Sequence, residues 1–133
     1  MEEPRFEACF ACGQSNPVGL KLCFSYSDGK ACATFCSSSS YEGYPGIVHG
    51  GIISTLMDEA MAKAILMQGR RAVTDNLTTH FRLPLATGVQ VHVSGWITEL
   101  KSRTIKAAAQ VIDADSRVIA TAEAVFIEVK SLA

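Results

Sequence analysis

The sequence lacks an excess of either charge, a signal-like start and any long uncharged apolar run, and each absence removes a class of function. Twelve Lys and Arg face thirteen Asp and Glu, for a net charge of −1. No basic block stands ready to neutralise a phosphate backbone, so no nucleic-acid partner is expected. The opening "MEEPRFEACFACG" is acidic and has no apolar segment of the secretory kind. The most apolar stretch carries Asp58, Glu59 and Lys63, which excludes a membrane span. The expected location is the cytoplasm, with no membrane partner. Charged residues make up only 19% against 48% hydrophobic, the balance of a globular chain rather than a disordered one. At 133 residues there is room for one domain. It is expected over 1–133, with 1–17 as an N-terminal extension packed on it.

The five cysteines (Cys9, Cys12, Cys23, Cys32, Cys36) are an odd number with no export signal, so they are expected to be reduced, buried and inert. The pairs "CFAC" and "CATFC" invite a zinc test. Cys32 and Cys36 fall in a strand-like stretch, where four residues span about 13 Å, whereas two sulfurs on one zinc lie within about 4.6 Å. The expectation is no metal and no cofactor.

What is present is alternation. "LKLCFSYSDGKACATF" puts Leu20, Leu22, Phe24 and Tyr26 on one face, breaks at Asp28-Gly29, and resumes with Ala31, Ala33 and Phe35, a strong hairpin signal. Val73, Leu77, Phe81 and Leu83 alternate with polar residues, and Asp75 and Thr79 interrupt the apolar face. Further runs follow at Val89 to Ile97, with Gly95 expected as a bulge, at Ile105 to Val111, and at Ala120 to Phe126. The order is β-β-α-β-β-β-β, which predicts an α+β fold with one antiparallel sheet wrapped on one long helix.

That helix begins in "GIVHGGIISTLMDEAMAKA". Ile53, Leu56, Met57, Ala60, Met61, Ala64 and Met67 share its apolar face. Glu59 and Lys63 fall opposite, as a solvated i,i+4 pair. Asp58 borders the apolar face beside Ser54, Ala62 and Ile65, a place that suits either a rim carboxylate or a chemical one. Each glycine costs about 1 kcal/mol in a helix, so the pair Gly50-Gly51 at its start needs a reason. Without side chains these residues bare the first unpaired N–H groups at the positive end of the macrodipole, where a ligand oxygen can approach. Such amides make an oxyanion hole from backbone alone.

His49-Gly50-Gly51 with an acid nine residues after the histidine resembles the hotdog-fold acyl-CoA thioesterases of the phenylacetate-pathway (PaaI-like) type. "CFACGQSNPVGLKL", "YEGYPGIVHGG" and "HFRLPLATG" extend the resemblance over nearly the whole chain. The resemblance implies a hotdog fold and hydrolysis of an acyl-CoA substrate. It also implies a homodimer whose sheets join at the third strand, with a dimer and a dimer of dimers both open as the final assembly. It matches Asp58 to the catalytic carboxylate, acting either as general base on water or as nucleophile through a mixed anhydride, Gly50 to the oxyanion donor, His49 to the loop-shaping histidine and Thr74 to an assisting hydroxyl. One departure is Gly43, where some relatives carry an asparagine. The candidate substrate-binding residues are Gly51, Ser54, Met57, Met61 and Arg103, the last toward the CoA phosphates. The rival readings are a hotdog dehydratase, which would need a histidine acid-base pair, and a non-catalytic acyl-CoA binding module, which has little use for Asp58.

Overall fold

Asp28 and Gly29 both adopt positive φ, 52° and 76°, the backbone that a two-residue hairpin turn requires. They fold Ser25–Ser27 (β1) back on Lys30–Cys36 (β2). The computed structural model describes residues 6–130. After a short 3-10 turn at Ser39–Tyr41 come the helix Gly50–Met67 (α1) and four strands: Ala72–Phe81 (β3), Gln90–Lys101 (β4), Thr104–Asp113 (β5) and Val118–Glu128 (β6). The sheet order is β1-β2-β4-β5-β6-β3 with every neighbour antiparallel. One long helix against one curved sheet is the architecture that the alternation and the resemblance both implied. Among the described residues no helix is long and apolar enough to cross a membrane.

The alternating positions form the core. Ala31, Ala33, Phe35, Val91, Val93, Ile105, Ala107, Ala109, Val111, Ala120, Ala122, Ala124 and Phe126 are all buried, against Ile53, Leu56, Met57, Ala60, Met61 and Ala64 of α1. Met67 is only half-buried. The many alanines on the sheet's inner face let the helix lie close, and at Gly95 it lies closest. A Cβ there would stand 2.5 Å from the Ala60 carbonyl carbon and 2.6 Å from the Met61 nitrogen. Gly95 is therefore not the expected bulge: it pairs in regular register with Ala31 and Ala109, and the irregularity of β4 falls between Ile97 and Glu99. Because the obstacle is helix backbone, Gly95→Ala is expected to destabilise the fold by about 1–3 kcal/mol, read by urea unfolding. An unchanged midpoint would refute the close approach.

The first strand is shorter than the alternation predicts. Leu20 and Leu22 are buried, but they donate to Phe10 and Ala11 carbonyls at 2.8 and 2.9 Å rather than pairing with β2. Residues 6–22 thus fold as a hydrogen-bonded flap of their own. Tyr41 fastens it, its hydroxyl donating to the Gly19 carbonyl at 2.9 Å. The cysteines also depart from expectation: Cys23 and Cys36 are exposed and Cys9, Cys12 and Cys32 half-buried. In β2 the reason is competition for the inner face, which Ala31, Ala33 and Phe35 occupy, leaving Cys32 and Cys36 to point outward.

Candidate active site

The loop before α1 and the turn after β3 are far apart in sequence and hydrogen-bonded in space. Val48 N–H donates to the Leu85 carbonyl at 2.8 Å and Thr87 N–H to the Gly46 carbonyl at 3.0 Å. His49 N–H donates to the Tyr41 carbonyl at 2.8 Å, and Gly46 N–H to Glu42 Oε2 at 2.9 Å. "YEGYPGIVHGG" and "HFRLPLATG" therefore build one rigid entrance to the helix.

At that entrance His49 is the N-cap, its Nδ1 accepting from Gly51 N–H at 2.9 Å. Nδ1 is thereby the acceptor nitrogen of the ring. The Gly51 amide is thus already used. Ile52 and Ile53 N–H groups both turn to the His49 carbonyl. Gly50 N–H has no acceptor among the described residues, and is the amide left for a ligand. Each glycine makes room for a ring: a Cβ at Gly50 would stand 3.3 Å from the Phe81 ring, and one at Gly51 3.0 Å from His49 Nδ1. Gly43 lies under the same imidazole, where a Cβ would stand 3.3 Å from His49 Cα.

Two turns along the helix, Asp58 is half-buried and accepts a 2.7 Å hydrogen bond from Thr74 Oγ1 to its Oδ1. Simple alternation sets Thr74 on the face opposite Leu77 and Phe81. The register explains how it reaches the helix. Opposite residues of an antiparallel pair share a face, and Thr74 stands opposite the buried Phe126, while Leu77, Thr79 and Phe81 stand opposite the inward alanines Ala124, Ala122 and Ala120. A bulge between Thr74 and Asn76 adds one residue, Asp75, and shifts the phase. Thr74, Leu77, Thr79 and Phe81 therefore all face α1, and Val73 turns out. Thr79, which the sequence reading treats as an interruption, meets Ser54 hydroxyl to hydroxyl at 3.3 Å. Thr79 and Phe81 are the site neighbours that sequence reasoning missed; the broken alternation was their one signal.

The other candidates are spread out. Gly50 and Asp58 stand eight residues apart on one helix, about 12 Å along its axis. Arg103 is exposed in the β4–β5 turn, its carbonyl accepting from Glu128 N–H, beside the Arg70–Glu128 ion pair at 3.6 Å. Met57 and Met61 have no exposed surface and are core residues of this chain. Glu59 is not the solvated charge expected. Its side chain is 18% exposed and that of Lys63 13%, the two paired at 3.7 Å, because the flap covers this side of the helix and lays the Phe6 ring 4.5 Å from Lys63 Nζ. Burial, with the charge of Glu59 next, pushes the Cys12 thiol up to about 12, so it is no thiolate nucleophile at neutral pH. His80 and His92 stay on the sheet, His92 Nδ1 sharing a 3.1 Å hydrogen bond with Thr34.

β3 ends the sheet, none of its residues is fully buried, and Val73, Leu77 and Phe81 are exposed, as is Leu83 just beyond it. An edge of unpaired backbone flanked by apolar side chains is a surface for strand pairing.

The sequence model of the thioesterase superfamily matches residues 45–120, a segment that runs from the loop before α1 into β6. An acyl-coenzyme A thioesterase of Xenopus laevis, THEM4, is 26% identical over 114 residues, covering 84% of this chain and 51% of the relative. A crystal structure of a thioesterase superfamily protein superposes with a TM-score of 0.83 at 26% identity, over 88% of this chain and 61% of that one. The PaaI protein of the E. coli phenylacetic acid degradation operon superposes with a TM-score of 0.80 at 19% identity, over 90% and 85%. The chain thus spans about half the length of the Xenopus laevis relative.

Proposed function

This chain belongs to the thioesterase superfamily, and on that premise we propose that it hydrolyses an acyl-CoA thioester to the free acid and CoA, at two composite sites of a homodimer. The observation that carries the reading is the 2.7 Å Thr74–Asp58 hydrogen bond at the sheet's open edge, with the unclaimed Gly50 amide about 12 Å away on the same helix. The acyl-CoA specificity named for the Xenopus laevis relative supports the substrate class.

Thr74 fixes Asp58 Oδ1, and Oδ2 takes a proton from the attacking water. The water oxygen bonds to the thioester carbonyl carbon, and the oxyanion that forms accepts from Gly50 N–H at the positive end of α1. Collapse breaks the carbon–sulfur bond. The leaving thiol has a pKa of about 8.5 by analogy with cysteine, so CoA departs as thiolate and then takes the proton held by Asp58. No strong separate acid is needed, which suits the sparse set of groups. His49 sets the loop and caps the amide of Gly51, and so keeps the Gly50 amide as the donor. Gly51 and Ser54 border the acyl group, Met57 and Met61 back that wall from within the core, and Arg103 reaches the CoA phosphates.

A base and an oxyanion donor about 12 Å apart cannot act on one carbonyl. They converge when a second copy lies antiparallel across β3, which also covers the exposed Leu77 and Phe81 and pairs the free strand edge. A dimer of dimers is the larger assembly of this reading, and the cytoplasm its location. The test is a panel of short, medium, long and aromatic acyl-CoAs, followed by released thiol. At least one class is expected to turn over with kcat/KM above about 10⁴ M⁻¹ s⁻¹. A folded protein that hydrolyses none above background overturns the proposal.

A further inference from the structure

We infer that Cys9, Cys12 and Glu59 form a structural zinc site that fastens the N-terminal flap to the outer side of α1, independently of the proposed reaction. Among the described residues one group of three metal-ligating side chains brings its donor atoms together: Cys9 Sγ, Cys12 Sγ and a Glu59 carboxylate oxygen, all within 4.8 Å of one another. Three such donors on one tetrahedral zinc are separated by about 3.3–3.8 Å, so side-chain rotations of about 1 Å close the site.

The backbone holds the two sulfurs ready. Cys12 N–H points at Cys9 Sγ at 3.4 Å, which fixes that sulfur beside the Cys12 backbone. Gly13 N–H donates to the Cys9 carbonyl at 2.9 Å and Ser15 N–H to the Glu7 carbonyl at 3.0 Å, locking the "CFACG" turn. A Cβ at position 13 would fall on the Glu7 carbonyl oxygen and 2.5 Å from the Cys9 nitrogen, so only glycine permits this turn.

The third donor comes from the middle of the helix. Glu59, with little solvent, is held there by its pairing with Lys63 at 3.7 Å. With two thiolates and Glu59 the cluster carries three negative charges; one divalent cation and Lys63 carry three positive ones. Two thiolates select zinc over magnesium or calcium. Binding displaces the two thiol protons, and a water would supply the fourth ligand, with cavities on the Cys12 side and on the Cys9–Glu59 side of the cluster. Glu59 is the residue next to Asp58, about 100° around α1 from it.

The test is titration of the full chain, reduced with a phosphine and stripped with EDTA, by Co²⁺ and then Zn²⁺. One Co²⁺ per chain is expected, with a thiolate charge-transfer band and tetrahedral visible bands that Zn²⁺ abolishes. Cys9→Ser and Cys12→Ser are each expected to weaken binding at least about 100-fold, and Glu59→Gln about 10–100-fold with the charge-transfer band kept. Cys32→Ser and Cys36→Ser are expected to leave it unchanged. In the unsubstituted chain Zn²⁺ is expected to raise Tm by several degrees and to protect Cys9 and Cys12, but not Cys36, from alkylation read by mass spectrometry. No charge-transfer band at stoichiometric Co²⁺, no protection of the two cysteines, or binding that survives Cys9→Ser overturns the site. Unweakened binding in Glu59→Gln overturns the helix ligand and with it the fastening.

Discussion

Asp58→Asn is expected to lower kcat for acyl-CoA hydrolysis by about a hundredfold or more, with KM within a few-fold of its original value. The substitution keeps the size and the Thr74 contact but removes the lone base, so the loss falls on the chemical step. Thr74→Val, which leaves Asp58 Oδ1 without its 2.7 Å donor, is expected to cost about tenfold, because a carboxylate free to rotate is a worse base than a fixed one. Thr74→Ser restores the hydroxyl and should recover most of that loss. Steady-state kinetics on variants with unchanged circular dichroism decide the matter. An Asp58→Asn enzyme that keeps more than about a tenth of kcat removes Asp58 from the mechanism, and a Thr74→Ser variant no better than Thr74→Val makes Thr74 a packing residue.

Mixing two inactive proteins is expected to restore activity. Gly50→Val crowds the Phe81 ring, against which even a Cβ would stand at 3.3 Å, and blocks approach to the amide. Asp58→Asn removes the base. Each homodimer then has two damaged sites. In a heterodimer one site receives both lesions and the other neither, because each site takes Gly50 from one chain and Asp58 from the other. Random exchange at equal amounts makes about half the dimers mixed, so activity should rise from near zero to about a quarter of the original. Subunit exchange is followed by native mass spectrometry. Confirmed exchange without recovery, or full hydrolysis by a monomer, sinks the composite site. Mutual dependence of this kind follows from one length: eight helical residues span about 12 Å, and a water molecule does not.

Much of the fold was legible because it depends on local pattern. Asp28-Gly29 marked the hairpin, the alternation at Ala31 to Phe35, Ile105 to Val111 and Ala120 to Phe126 named the inner face of the sheet, and the spacing of Ile53, Leu56, Met57, Ala60 and Met61 named the buried face of the helix. The glycine pair before an acid at helical distance marked the candidate site, since a pair of glycines at a helix start has few physical uses.

What the sequence could not determine depends on which segment lies opposite. Gly95 reads as a bulge in isolation and is in fact the point where the helix backbone comes too near for any Cβ. Glu59 reads as solvated because nothing in its own helix says that residues 6–15, some fifty positions earlier, fold over it. Alternation assumes a constant period of two, and the bulge at Asp75 breaks that period in β3, carrying Thr74 to the same face as Leu77, Thr79 and Phe81 and onto Asp58. A bulge arises from the match between two strands, so the register with β6 decides it, and with it which hydroxyl meets the carboxylate. The sequence by itself determined the order of the elements, the buried faces of α1, β2, β5 and β6, and the positions of the amide and the acid. Tertiary pairing alone decided which side chains hold them, because contact distance is fixed by non-local partners that no local periodicity records.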